Sequence, residues 1–326
     1  MTRFFQLFLA LSLVAPALAQ DSTFVIRPHR VVMVQDDHSM NPDEPESGGI
    51  RFDGEALLTN VYESNIDHSS DGISSIGFVP ALHLRLRDRP HDTRFTFDYV
   101  LARHAYTNTE RWDRTSHLFS LAYEVEPVND LTSETEAEVS FRGSSEDRDL
   151  ANQYQVRQTF EAKLSRMHRV EMYGTLRYKT IPLDPEGNAF KPNIGLRYQQ
   201  RWPSGIRWEI GARWETNREA IERGNYNRVT YTAEFRVPVF GGRDYVELEV
   251  RRKSKHYTAR FAEDENGDVT GRLRQDRKWS VELAWRHTLT THVVGTFGVE
   301  VERRTSNDPD KPYTASALVI GLTYSF

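Results

Sequence analysis

Arginine and glutamate recur at even spacings within short segments of this chain, as in Arg207, Glu209, Arg213 and Glu215, or Glu247, Glu249, Arg251 and Lys253. Even spacing puts them on one face of an extended strand, because successive side chains of a strand point to opposite sides. The cations in this set are Arg177, Arg197, Arg201, Arg207, Arg213, Arg228, Arg236, Arg251, Lys253, Lys278 and Arg286. The carboxylates in step with them are Glu134, Glu136, Glu138, Glu171, Glu209, Glu215, Glu234, Glu247, Glu249, Glu282 and Glu300. Groups so arranged can pair crosswise between neighbouring strands into a salt-bridge lattice. They can equally segregate into a basic wall and an acidic wall, whose field orders water and guides anionic or dipolar solutes. Both alternatives stay open at this level.

Other chemistries have less support. Asp67, His68 and Ser69 stand together in a polar segment and His104 follows on the inward set of a strand, but no further residues complete a nucleophile, base and oxyanion arrangement. No catalytic residue is assigned. The run 264–268 carries three carboxylates, yet its glycine comes directly before the last aspartate and no glutamate follows at the spacing of a calcium loop, so it reads as a turn. With no cysteine there are no disulfides, no thiolate ligands and no lipid-modified amino terminus, and no metal or cofactor is expected. A net charge of −5 argues against a nucleic-acid-binding protein.

The elements that position these side chains follow from period-two alternation, which runs through nearly everything after residue 49. Ile50, Phe52, Ala56 and Leu58 oppose Arg51, Asp53 and Glu55; Phe95, Phe97, Tyr99 and Leu101 oppose Thr96, Asp98 and His104; Trp279, Val281, Leu283 and Trp285 oppose Lys278, Glu282 and Arg286. A helix would mix the two sets on every face, so these are strands, about fourteen in all. Charged residues make up 27% of the chain and mean hydropathy is −0.63, with no apolar run after the first residues long enough for a spanning helix. A closed barrel reconciles such polarity with a membrane, because only alternate residues meet lipid.

Link lengths sort by parity. Tight links are expected at 89–92, 127–130, 165–168, 203–205, 241–243 and 289–291, and longer polar ones at 143–150, 182–188, 217–225, 259–274 and 305–311. Short turns on one rim and loops on the other define an up-and-down barrel. Trp202, Trp208, Trp214, Trp279 and Trp285 all fall in the apolar set, with Tyr324, where their rings would form girdles at headgroup depth. Gln158 is the one polar residue that the alternation puts on the apolar side of the sixth strand.

The termini carry address information. Arg3, an apolar run to Val14 and the small-x-small triplet Ala17-Leu18-Ala19 read as a signal peptide over 1–19. Residues 20–48 form an extension, either a lumen plug built on the apolar run 31–34 or a periplasmic tail, and 49–326 form the barrel. At the other end Leu318, Ile320, Leu322, Tyr324 and Phe326 alternate up to the last residue.

This ending resembles the terminal signature of Gram-negative outer-membrane β-barrels. The resemblance implies an all-β, transmembrane, antiparallel up-and-down β-barrel with short periplasmic turns and longer extracellular loops. It also implies recognition of Tyr324 and Phe326 by the barrel-assembly machinery, and a setting of outer-membrane lipid and lipopolysaccharide. The leading functional expectation is a porin-like diffusion channel for polar solutes, acidic or saccharide-like. One alternative is export, since residues 59–65 resemble first-strand ends of barrels linked to exopolysaccharide secretion; another is a barrel enzyme acting on lipid or peptide.

Overall fold

The computed structural model describes residues 49–326 apart from 67, 70–71, 89–92, 109–112, 144–150 and 241–243. The signal peptide, the extension, Asp67, the 89–92 and 241–243 turns and nearly all of the 143–150 loop lie outside the described residues. The strands are β1 (Arg51–Glu63), β2 (Ser75–Asp88), β3 (Thr93–Tyr106), β4 (Arg114–Val128), β5 (Leu131–Gly143), β6 (Asn152–Lys163) and β7 (His168–Thr180). They continue as β8 (Ala189–Phe190 and Asn193–Arg201), β9 (Arg207–Glu219), β10 (Tyr226–Val239), β11 (Asp244–Glu263), β12 (Val269–Thr288), β13 (Val293–Ser306) and β14 (Tyr313–Ser325). The break in β8 falls at Lys191-Pro192, where proline has no N–H to give to the ladder. Both pieces pair with β7 and with β9, so they occupy one strand position.

Each strand pairs antiparallel with the next, and β14 pairs with β1 from Glu55↔Ser325 to Glu63↔Ala317. The sheet therefore closes into a barrel of fourteen strands with no free edge, which leaves no ladder N–H or C=O unsatisfied in hydrocarbon. Phe326 holds the seam. Its N–H donates to the Gly54 carbonyl at 2.9 Å and its carbonyl accepts from the Gly54 N–H at 3.0 Å. Its ring covers Gly54 so closely that a Cβ there would sit 2.3 Å from the ring edge.

The two faces are inverted relative to a soluble protein. Phe97, Leu121, Leu196, Ile210, Tyr231, Val281 and Ile320 are exposed on the outside, while His83, Asp98, Arg177, Glu215, Glu249 and Asp276 are buried within. Trp214, Trp279 and Trp285 stay 40–48% exposed on the outer surface, which fits rings that face lipid rather than a protein core. Against β1–β4, however, part of the inner face is apolar: Leu57, Val61, Val79, Ala81, Val100, Ala102 and Leu118 form a buried strip beside the charged cluster of His83 and Asp98. The sequence reading missed this strip.

Tight links fall at 129–130, 164–167, 202–206 and 289–292 on one rim, and the other rim carries 64–74, 181–188, 220–225 and 307–312. Two expected loops are shorter than the sequence indicated. Residues 259–263 and 269–274 belong to β11 and β12, each 20 residues long, which run on past a bulge between His256 and Phe261. Residues 217–219 belong to β9. Beyond the apolar belt both faces of a strand are wet, so the alternation that marks it in sequence fades while its ladder continues.

Gln158 also finds its explanation. On the outer face the Thr135 hydroxyl donates to its side-chain oxygen at 2.6 Å, and its amide N–H donates to the Ser133 hydroxyl at 3.0 Å. A polar group in an apolar setting is costly mainly when unpartnered, and this amide is partnered by its neighbours on β5.

Candidate functional site: the charged inner wall

All eleven cations and eleven glutamates named from the sequence lie on the inward set of their strands, as the registers require. Inward neighbours in register decide which charges meet. On β6–β9, Arg157 reaches Glu171 at 2.8 Å, Glu171 also holds Arg197 at 3.1 Å, and Arg197 reaches Glu209 at 2.8 Å. Toward the tight-turn rim, Arg207 holds Glu234 at 2.5 Å, while Arg236 lies 4.0 Å from Glu234 and 2.9 Å from Glu247. Toward the loop rim, the fully buried Glu215 takes Arg177 at 2.9 Å and Arg228 at 2.7 Å, and accepts the Tyr226 hydroxyl at 3.2 Å. Asp276 gathers Arg304 at 2.5 Å and Arg274 at 3.0 Å. Lys278 pairs with Glu302 and Arg251 with Glu249.

Cations and carboxylates thus interleave along β6–β13 rather than standing as a basic wall against an acidic one. The lattice alternative describes most of the wall. Glu134, Glu136 and Glu138 lie together on β5, with Glu136 accepting the Ser120 hydroxyl at 3.0 Å and standing in register with Arg157. Arg286 donates to the Tyr245 hydroxyl at 2.8 Å. Arg201 ends β8 at the tight-turn rim.

One line of register holds cations without a carboxylate in the line itself, although two of its members, Lys278 and Arg304, pair with Glu302 and Asp276 beside it. Arg213 on β9 is in register with Thr230, Thr230 with Lys253, Lys253 with Lys278, and Lys278 with Arg304. Five adjacent strands therefore present four cations and a threonine along one line of the inner wall, with no carboxylate in the line. Among the described residues Arg213 makes no ion pair. Lys255 stands one inward step above Lys253, its ammonium 4.0 Å from the Tyr226 ring centre and 4.2 Å from that of Tyr257. Tyrosine faces favour a cation at this range. Lys255, Tyr226 and Tyr257 escaped the sequence reading, although the same parity that selected Lys253 would have found them.

The histidines of the loop rim are held by their surroundings. His68 stacks on Tyr313 with ring centres 5.0 Å apart and lies 3.9 Å from Glu302. The Ser69 hydroxyl accepts the Gly72 N–H at 3.2 Å. His104 is buried on β3, in register with Arg114. At 264–268, the Asp264 carboxylate accepts the N–H groups of Asn266 and Asp268, each at 2.9 Å, and Gly267 takes φ +84°. That geometry closes a turn on itself.

No protein-family model and no curated protein matches the sequence. Solved structures do match the fold. The chain is similar to an anion-selective porin from Comamonas acidovorans, with a TM-score of 0.54 and 8% identity over 86% of this chain and 100% of that one. It is similar to OmpT, an outer membrane protein of Vibrio cholerae, with a TM-score of 0.53 and 9% identity over 87% and 99%. It is also similar to the outer membrane channel DcaP of Acinetobacter baumannii, with a TM-score of 0.52 and 9% identity over the same shares. The fold is that of outer-membrane β-barrels. At such identities the likeness extends to the backbone path, and the inner wall has to be read from this chain's own residues.

Proposed function

We propose that this chain is an outer-membrane diffusion channel for small polar anions, delivered to the envelope by the leader 1–19 and inserted through its carboxy-terminal strand. The observation that carries the reading is the cationic file Arg213, Lys253, Lys278 and Arg304 on the inner wall. Lys278 and Arg304 are offset by Glu302 and Asp276 beside the file, whereas Arg213 makes no ion pair among the described residues and leaves a local positive potential, which low-dielectric walls focus on solutes in the lumen. The fold likeness to an anion-selective porin and to a channel points the same way. Acidic saccharides and small carboxylates share the chemistry that such a file attracts.

The reading is tested by reversal potentials of the purified protein in planar bilayers under a salt gradient. The wild type should give conductance steps that prefer anions. Arg213→Gln should weaken that preference without disturbing the barrel, since it breaks no ion pair, and Arg213→Gln with Lys253→Gln and Lys278→Gln should weaken it further. Arg207→Gln with Arg236→Gln serves as the contrast, because both lie in the balanced part of the lattice. The absence of steps, or an anion preference untouched by the Arg213 changes, would overturn the proposal.

A further inference from the structure

A cluster of three arginines on adjacent strands departs from the apolar outside of this barrel. Arg252 on β11, Arg277 on β12 and Arg303 on β13 all occupy outward positions: Arg252 and Arg303 are in register with Trp279 from either side, and Arg277 follows Trp279 one outward step toward the loop rim. Arg277 and Arg303 are exposed to the surroundings of the barrel. The Arg252 guanidinium lies 5.2 Å from the centre of a Trp279 ring, and its Nε is buried without a hydrogen-bond partner. The inner wall matches most of its arginines to carboxylates, but among the described residues none of these three makes an ion pair. Besides Trp279, their outward neighbours in register are Tyr231, Ser254, Thr305 and Thr314, which bring hydroxyls and no carboxylate.

Arginine on the lipid face is strongly unfavourable at the midplane and nearly free of cost at the interface. Trp279 marks that interface, so the three guanidiniums stand at headgroup depth on the loop rim, directly above the apolar stretch of Val281 and Leu283. An unpaired cluster of planar, bidentate donors around an aromatic ring has the chemistry of a phosphate site. We infer that Arg252, Arg277 and Arg303 bind a phosphate of a phosphorylated glycolipid, lipopolysaccharide, in the outer leaflet. Its sugar hydroxyls would meet Ser254 and Thr305, and its acyl chains would lie over Val281 and Leu283. The inference rests on the proposed outer-membrane setting but not on transport, since the site is on the opposite face of the wall from the cationic file.

Native mass spectrometry of the full-length protein in detergent tests it, with purified bisphosphorylated lipid A as probe. The wild type should retain the lipid; Arg252→Gln with Arg277→Gln and Arg303→Gln should weaken retention about tenfold or more, given the strength of charge-assisted hydrogen bonds. Dephosphorylated lipid A should bind the wild type as weakly as the phosphorylated lipid binds the variant. Unchanged conductance and anion preference in bilayers show that the variant is folded, and keep a failure of this site distinct from a failure of the channel reading. Equal retention of both lipids, equal retention by the variant, or displacement of the lipid by inorganic phosphate at matching concentration would overturn the assignment.

Discussion

Glu215 shows what the lattice asks of a single side chain. It is fully buried and is shared between two guanidiniums from different strands, Arg177 and Arg228, while accepting a tyrosine hydroxyl. Removing it leaves the buried Arg177 and the half-buried Arg228 facing each other without a carboxylate between them, and breaking a buried pair in this way typically costs about 3–5 kcal/mol. Glu215→Ala should therefore lower the urea midpoint of folding into lipid vesicles far more than Glu134→Ala, and Glu215→Gln should fall between them. Equal midpoints for the three variants would contradict the lattice. At the outer face the same logic runs with smaller terms. Gln158→Leu alone leaves the Ser133 and Thr135 hydroxyls without their partner, at about 1 kcal/mol. Adding Ser133→Ala and Thr135→Val should restore the midpoint, and a purely additive loss in the triple variant would show that the trio is not coupled.

At the scale of elements, the seam and the hairpins explain what the sequence reveals and what it hides. Phe326 closes β14 on β1 by lying over Gly54. Gly54→Ala inserts a methyl group into the ring edge, an overpacking of about 1–3 kcal/mol unless the ring swings away. In a Phe326→Ala background the same change should cost almost nothing, and a full additional loss there would remove the contact from the account. Strand existence was legible because Phe97, Leu121, Val281 and their neighbours alternate with polar residues. The 20-residue span of β11 and β12 was not, because outside the belt polar residues such as His256, Gln275 and Arg277 take the outward positions, so both parities are polar and the alternation no longer marks the strand. The apolar inner strip was hidden for the opposite reason. Leu57 and Leu58 are consecutive and both apolar, so alternation alone assigns neither to the lumen. The ion-pair partners required the registers, which hairpin turns set and which residue types alone do not encode. The inward set itself, from Arg177 to Glu300, came directly from parity.

For the whole molecule, closure of fourteen strands turns a polar chain into a membrane protein, with charge gathered inside and apolar area facing out. The cationic file, the glycolipid site and the girdle each depend on that separation of faces. The chain contains no cysteine, so single cysteines can report on it one residue at a time. The direct measurement is fluorescence quenching of bimane attached at Val281→Cys, Glu282→Cys, Leu283→Cys and Ala284→Cys in lipid vesicles, using nitroxide-bearing lipids. Positions 281 and 283 should be quenched by the lipid probe, and 282 and 284 should be silent to it. Quenching that is uniform across the four, or that follows a helical repeat, would contradict the barrel and everything built on its two faces.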